Sequence, residues 1–148
     1  MSERSERAKA LFLEGYNCTQ AVVGAFSDVL AIEFDVLMKT VSSFGGGMGR
    51  LREVCGAVSG MFFVAGALYG YSDPKAKEEK AEHYLLIQTL AEKFREKNGS
   101  IICRELLGEE KEKVTHIPAE RTTAYYRKRP CAELVADAVL VLEEVCDL

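Results

Sequence analysis

Five cysteines, at 18, 55, 103, 131 and 146, carry most of the chemical potential of this 148-residue chain, and no two stand at CxxC spacing. That pattern fits neither a compact zinc ribbon nor a sequence-local thioredoxin motif, so any pair or cluster has to be assembled by the fold. Four of them share a local setting. Cys18 follows Asn17, a good helix cap; Cys55 stands where a glycine-rich stretch gives way to an apolar run; Cys103 lies near the start of SIICRELLG; Cys131 follows Pro130, which suits a first helical turn. Each is expected in the first turn or so of a helix, where unpaired N–H groups and the positive helix end favour thiolate over thiol. Such thiolates serve as nucleophiles in dithiol/disulfide exchange, or as ligands of zinc or an iron–sulfur cluster. A third reading makes the same cysteines small buried hydrophobes.

The neighbours of these cysteines add little that is decisive. Arg50 and Arg52 favour a thiolate at Cys55, whereas Glu53 opposes it. His83, on a charged segment, and His116, in a polar one, are weak additions to a metal site, and Cys146 at the ragged end of the last helix reads as an adventitious thiol. Tyr16 packs beside Cys18 or orients a proton there. Glu53, Glu105, Glu133 and Asp137 have acid–base chemistry, but their spacing is that of solvated helix faces, and no Ser-His-Asp or Cys-His arrangement can be selected. The Gly45-Gly46-Gly47-Met48-Gly49 stretch reads as a shaped turn. It lacks the Lys-Ser/Thr completion of a phosphate-binding loop.

The elements that must position these residues read as helices throughout. Ser2–Glu14 has an apolar side at Ala8, Leu11 and Phe12. A second helix runs from Cys18 to about Leu30, with Ala21, Val22, Ala25, Phe26 and Val29 inward, and Asp35 caps a short helix through Val41. From Val54 to Tyr71 there is no charged residue, and small residues at 56, 59, 60, 66, 67 and 70 form a stripe on which a second helix can approach. This segment is expected to be a buried central helix; glycines, Ser59 and Cys55 argue against a membrane span. Asp73 and Pro74 restart the chain as cap and first residue of a long surface helix over 75–97, with Ala81, Tyr84, Leu85, Gln88, Ala91 and Phe94 inward, ended by Asn98-Gly99. A short helix from Ser100 closes at Gly108, and residues 109–120 read as a loop. Arg121, Arg127, Lys128 and Arg129 beside Tyr125 and Tyr126 make a basic-aromatic face, and a last helix runs from Pro130 to about Val145.

No repeat or low-complexity segment divides residues 1–148, so the expectation is a single all-α domain, a compact bundle of five to seven helices around the glycine-rich one. A 48% hydrophobic composition supplies a core without metal or disulfides. The net charge of −4, from 19 basic and 23 acidic residues with no long block of either sign, argues against non-specific nucleic-acid binding. The charged start, MSERSERAKALF, lacks a secretory pattern, and a cytoplasmic location is the simplest expectation.

Four segments together resemble a known family. GYNCTQAV holds Cys18, FGGGMGRLREVCGAVSG holds Cys55 and a complete CGAVSG at 55–60, CRELLG holds Cys103, and PCAELVADAV holds Cys131. These are similar to the redox-active protein family named for its cysteines and a CGAxxG motif. The resemblance spans almost the whole chain and implies that Cys18, Cys55, Cys103 and Cys131 are the shared cysteines, with Cys146 additional. Thr19 stands where alanine is common in that family, and Arg52 where glycine is frequent.

With that resemblance, thiol-based redox exchange leads. Cys55 is expected as attacking thiolate and Cys18 as its resolving partner, close in space, with Cys103 and Cys131 a second possible pair. No cofactor is required, and the partner is an unidentified thiol or redox protein. A site in which the four cysteines ligate zinc or an iron–sulfur cluster is the alternative, and a noncatalytic helical adaptor, with the small-residue stripe as a homo-oligomer contact, is the third reading.

Overall fold

The computed structural model describes residues 1–108 and 115–148; residues 109–114, part of the expected loop, and the Lys128 side chain lie outside the described residues. The described residues form ten α-helices, a 3-10 turn at Ser42–Phe44 and one antiparallel bridge between Val54 and Ile102. The class is all-α, but ten helices exceed the five to seven expected because several pieces are only one turn long. Helix α2 (Cys18–Ala25) breaks at Phe26, whose φ of −107° and ψ of 12° leave helical geometry, and the chain resumes as α3 (Ser27–Leu30). The kink turns Val29 outward rather than into the core.

Helix α1 (Glu3–Glu14) starts at a reciprocal Ser2/Ser5 capping box and stops at Gly15, whose φ of 118° a side-chain-bearing residue resists. Helix α4 (Phe34–Thr40) begins one residue before Asp35, which therefore lies inside the first turn and does not cap it. Gly45–Met48 is nominally a helical turn, α5, yet Gly46 and Gly47 are left-handed, at φ 67° and 72°. The left-handed run continues through Met48, Gly49, Arg50 and Arg52. Arg52, at φ 63°, holds a side chain on left-handed backbone at a cost of roughly 1–2 kcal/mol.

Helix α6 (Gly56–Tyr69) is the glycine-rich helix, and it packs on α2, on α7 (Lys77–Asn98) and on α10 (Cys131–Cys146). Burial is shared with α2, where Thr19 and residues 21–25 are enclosed. The small-residue stripe works only in its first half: Gly56 and Gly60 face α2 closely, whereas a methyl group on Gly66 would have nothing within 4 Å. One hydrophobic cluster gathers side chains of α1, α2, α4, α6, α7 and α10. Phe26, Phe94, Met61, Leu90 and Leu142 in it are fully enclosed, each contributing about 1.5–3 kcal/mol by burial. No helix among the described residues is long and apolar enough to cross a membrane.

Two expectations for α7 are corrected. Asp73 accepts from the backbone N–H of Lys75 at 2.9 Å and its carbonyl from that of Ala76 at 3.1 Å, so Asp73-Pro74 forms a separate turn and the helix begins later, at Lys77. Its buried side is Leu90 and Phe94 with Leu86 and Ile87, while Tyr84 and Leu85 are exposed. The segment carries enough apolar residues for two stripes; docking against α6 and α10 selects between them.

Candidate functional site

The cysteines are carried by helix starts, as their capping signals require. Asn17 accepts from Gln20 N–H at 2.9 Å while the Gln20 side chain accepts from Asn17 N–H at 3.0 Å, which makes Cys18 the first residue of α2. Cys55 is the N-cap of α6 and Cys103 the first residue of α8 (Cys103–Leu107). Pro130 caps α10 and leaves Cys131 as its first residue. Cys103 starts its helix later than the sequence suggests. Ile102 is held extended at the bridge to Val54: Cys55 N–H donates to Ile101 O at 2.8 Å, Cys103 N–H to Glu53 O at 2.6 Å and Arg104 N–H to Arg52 O at 3.3 Å. This cross-link sets the starts of α6 and α8 side by side.

All four helix starts open on one cavity of about 60 Å³ lined by Cys18, Cys55, Cys103 and Cys131. That volume holds one or two water molecules. The Cys18 sulfur lies against Gly56, the residue after Cys55, in the position a side chain on Gly56 would need. The Thr19 hydroxyl donates to Gly56 O at 2.8 Å in the buried seam between α2 and α6. Gly47 has the same role toward Cys103, whose Cβ would be 2.6 Å from an added methyl group. Gly45 similarly leaves room for Asn17. The glycines around the motif thus seat sulfur-bearing helix starts. The turn closes on itself: the N–H groups of Gly49, Arg50, Arg52 and Glu53 return to carbonyls of Gly45, Gly46 and Gly47.

Electrostatics bear on the expected division of labour. Cys55 is 5% exposed, and burial, then the neighbouring Cys18, push its thiol well above the ordinary value; the Val58 and Ala57 backbone N–H groups offset this only in part. Burial, Cys18 and Cys103 push Cys131 up to about 12 against the opposing pull of Arg129 and Arg52. Cys103 is also raised by burial, with Arg52 pulling the other way. Arg52 therefore acts on Cys103, its guanidinium 3.8 Å from the sulfur, and on Cys131. Cys18 is half-buried and its charge is felt at all three of the others. For Cys131 the consequence is measurable. Its alkylation by iodoacetamide, followed by peptide mass spectrometry, is expected to accelerate about tenfold per pH unit from 7 to 10, since the thiolate fraction keeps growing below the pKa. A plateau below pH 9 would contradict this reading.

Other candidates fall outside the cavity. Glu53 pairs with Arg104 at 2.7 Å and Glu133 with Lys9 at 2.8 Å, and Tyr16 stacks edge-on against Phe34 at 5.8 Å. His83 lies on α7 against Tyr71, and Cys146 ends α10 with Tyr69 donating to its carbonyl at 3.4 Å. Residues that local signals could not assign complete the wall. Arg121 donates to Phe12 O at 2.6 Å and Tyr16 O at 2.9 Å, closing the end of α1, and its guanidinium lies 4.3 Å from the Phe12 ring centre. Tyr125, in α9 (Thr123–Lys128), lies under Arg129 at 5.3 Å. The basic-aromatic face therefore turns partly inward onto the thiols.

A zinc or iron–sulfur site needs three or four donors around one point. Among the described residues no group of three His, Cys, Asp or Glu side chains is gathered closely enough to hold a metal ion, so the thiols as placed share a cavity without forming a ligand cage.

No curated protein and no solved structure matches the chain. The chain's motif is Cys55-Gly56-Ala57-Val58-Ser59-Gly60, with cysteine ahead of glycine where the family designation has the reverse order. The match itself runs over residues 16–145, covering all four pocket cysteines and leaving only Cys146 outside, and by it the chain belongs to the family described as "Putative redox-active protein (C_GCAxxG_C_C)".

Proposed function

We propose that this chain is a thiol redox protein that cycles between reduced cysteines and a disulfide formed within the four-cysteine cavity. The observation that supports it most is the convergence of Cys18, Cys55, Cys103 and Cys131 from four helix starts on that one space. In this reading Cys18, the more accessible member of the Cys18/Cys55 pair, attacks first, reversing the order expected from sequence. Its thiolate attacks one sulfur of an incoming disulfide; the S–S bond of that disulfide breaks, and its second sulfur leaves as a thiolate that takes up a proton. A mixed disulfide on Cys18 carries no charge, so the repulsion that Cys18 contributes at Cys55 disappears and Cys55 loses its proton more readily. Cys55 then attacks the Cys18 sulfur and expels the second half of the incoming molecule. Two protein thiols are oxidised and one external disulfide is reduced to two thiols.

Anaerobic reduction, then oxidation with a small disulfide and non-reducing peptide mapping, tests this. A reversible intramolecular Cys18–Cys55 link is the expected product. If none of the four thiols forms a reversible intramolecular disulfide in folded protein, the proposal fails.

A further inference from the structure

We infer that residues 115–129, which carry α9, form a lid over the cysteine cavity with Arg121 as its latch; this rests on the redox reading above, in which an incoming disulfide must reach Cys18. The cavity of about 60 Å³ cannot receive one as it stands. In-line attack brings both sulfurs of the incoming molecule, and the carbon beyond each, against Cys18 in a space that holds one or two water molecules. A wall must therefore move. Phe12 and Leu134 in that wall are buried, and the helix starts that carry the cysteines are tied to their neighbours, Thr19 to Gly56 O and Cys103 N–H to Glu53 O. The side formed by Arg121, Tyr125 and Arg129, spaced four apart along 115–129, is held differently.

Among the described residues of 115–129 none is buried; Ala119, Arg121, Tyr125, Tyr126 and Arg129 are half-buried and the others exposed. Among the described residues its backbone hydrogen bonds also stay inside it, from Thr122 N–H to Glu120 O, Tyr126 N–H to Thr122 O and Arg129 N–H to Tyr125 O. A helix of six residues bonded in this way is not stable on its own. It is held shut through side chains that meet α1. Arg121 donates to Phe12 O at 2.6 Å and to Tyr16 O at 2.9 Å with its guanidinium over the Phe12 ring, and Tyr126 meets the same ring edge-on at 6.1 Å. Both carbonyls lie at the end of α1, where a cation is favoured, and bonds from a charged donor are the stronger kind. Arg50 adds a tether to Thr115 O at 3.2 Å. Arg121, Tyr125 and Arg129 also wall a neighbouring cavity of about 280 Å³, so lifting this segment merges the two into a space of small-ligand size with Cys18 at its floor.

The test alkylates the full reduced chain with iodoacetamide and with its bulkier relative iodoacetanilide, and reads each cysteine by peptide mass spectrometry. Each rate is divided by that of the same reagent with a small thiol. In Arg121→Ala, alkylation of Cys18 and Cys131 is expected to rise about tenfold or more as the open form gains population, with the larger gain for the bulkier reagent. Cys146, outside the cavity, is expected to keep its rate. Loss of a positive charge beside the thiols disfavours their thiolates and by itself slows alkylation, so the lid and the charge act with opposite signs. Arg121→Lys keeps the charge without the planar fork and is expected to accelerate in the same direction. In the unsubstituted chain, the Tyr126 and Arg129 amides are expected to exchange hydrogen through a local opening, well ahead of the α6 amides; this measurement decides the matter if the variants do not fold. Exchange of those amides only together with α6, no acceleration in folded variants, or an equal gain for both reagents that extends to Cys146 would each overturn the lid. None of these readings involves oxidation. The lid fails on them even where the Cys18–Cys55 disulfide still forms, and absence of that disulfide counts against the redox reading instead.

Discussion

Cys18→Ala is expected to suppress oxidation of the cavity thiols far more than the loss of Cys103 or Cys131, measured as the rate of intramolecular disulfide formation by quenched alkylation and mass spectrometry. Cys18 is half-buried while Cys55 and Cys103 are buried, and it is the thiol whose charge reaches each of the others. Were the first attack to pass to Cys131, a thiol that burial and Cys103 still raise once Cys18 is gone would be a poor substitute, because its thiolate fraction near pH 8 falls faster than the greater basicity of the thiolate recovers. The substitution removes a sulfur without adding atoms, so the α2–α6 seam with its Thr19–Gly56 hydrogen bond is expected to stay closed and the fold to persist. Cys103→Ala and Cys131→Ala keep the Cys18–Cys55 pair and are expected to oxidise at rates within a few-fold of the parent. A Cys18→Ala protein that oxidises as fast as the parent, or equal losses in every single-cysteine variant, would show that the attack does not begin at Cys18.

The parts of this arrangement legible in sequence are those encoded within a few residues. Asn17 with Gln20, Gly99, Gly108 and Pro130 mark helix ends by local hydrogen bonding and backbone conformation, so four cysteines could be placed at helix starts before any packing was known. What brings the starts together is written at long range. The bridge that pairs Val54 with Ile102 joins residues 48 positions apart, and the isoleucine held extended there also suits the helix expected from Ser100. The buried stripe of α7 shows the same limit: phase on an amphipathic helix is set by the surfaces it meets, and exposed Tyr84 and Leu85 are as apolar as Leu86 and Ile87. Arg121 is a further case. In sequence it belongs to a solvated basic face, and only in the fold does it meet the carbonyls that end α1. Thiol reactivity shows a related limit, since the helix-start contribution at Cys55 is local whereas the larger burial contribution is assembled from the whole core.

Gly56→Ala is expected to be a damaging methyl group to add to the central helix beside the site. An alanine Cβ there would collide with the Cys18 sulfur and lie 2.8 Å from the Thr19 hydroxyl and 3.2 Å from the Phe44 carbonyl oxygen. The sulfur alone could rotate aside, but the hydroxyl is held by Gly56 O and the carbonyl is backbone, so relief requires α2 and α6 to separate. Overpacking of this kind costs about 1–3 kcal/mol. At roughly 2–4 °C per kcal/mol for a chain of this size, a 2 kcal/mol loss lowers the midpoint of thermal unfolding by roughly 4–8 °C. Oxidation should slow as well, because the displaced sulfur is that of Cys18. Gly66→Ala on the same helix supplies the comparison: its methyl group meets nothing within 4 Å, and removing an interior helical glycine is worth up to about 1 kcal/mol. Its midpoint is expected to hold or rise. The Cys-Gly-Ala order of the motif then has a steric reading, in which the residue after Cys55 lacks a side chain because the Cys18 sulfur takes its place. A Gly56→Ala chain as stable as Gly66→Ala, with an unchanged oxidation rate, would remove that reading and with it the close seating of Cys18 beside Cys55.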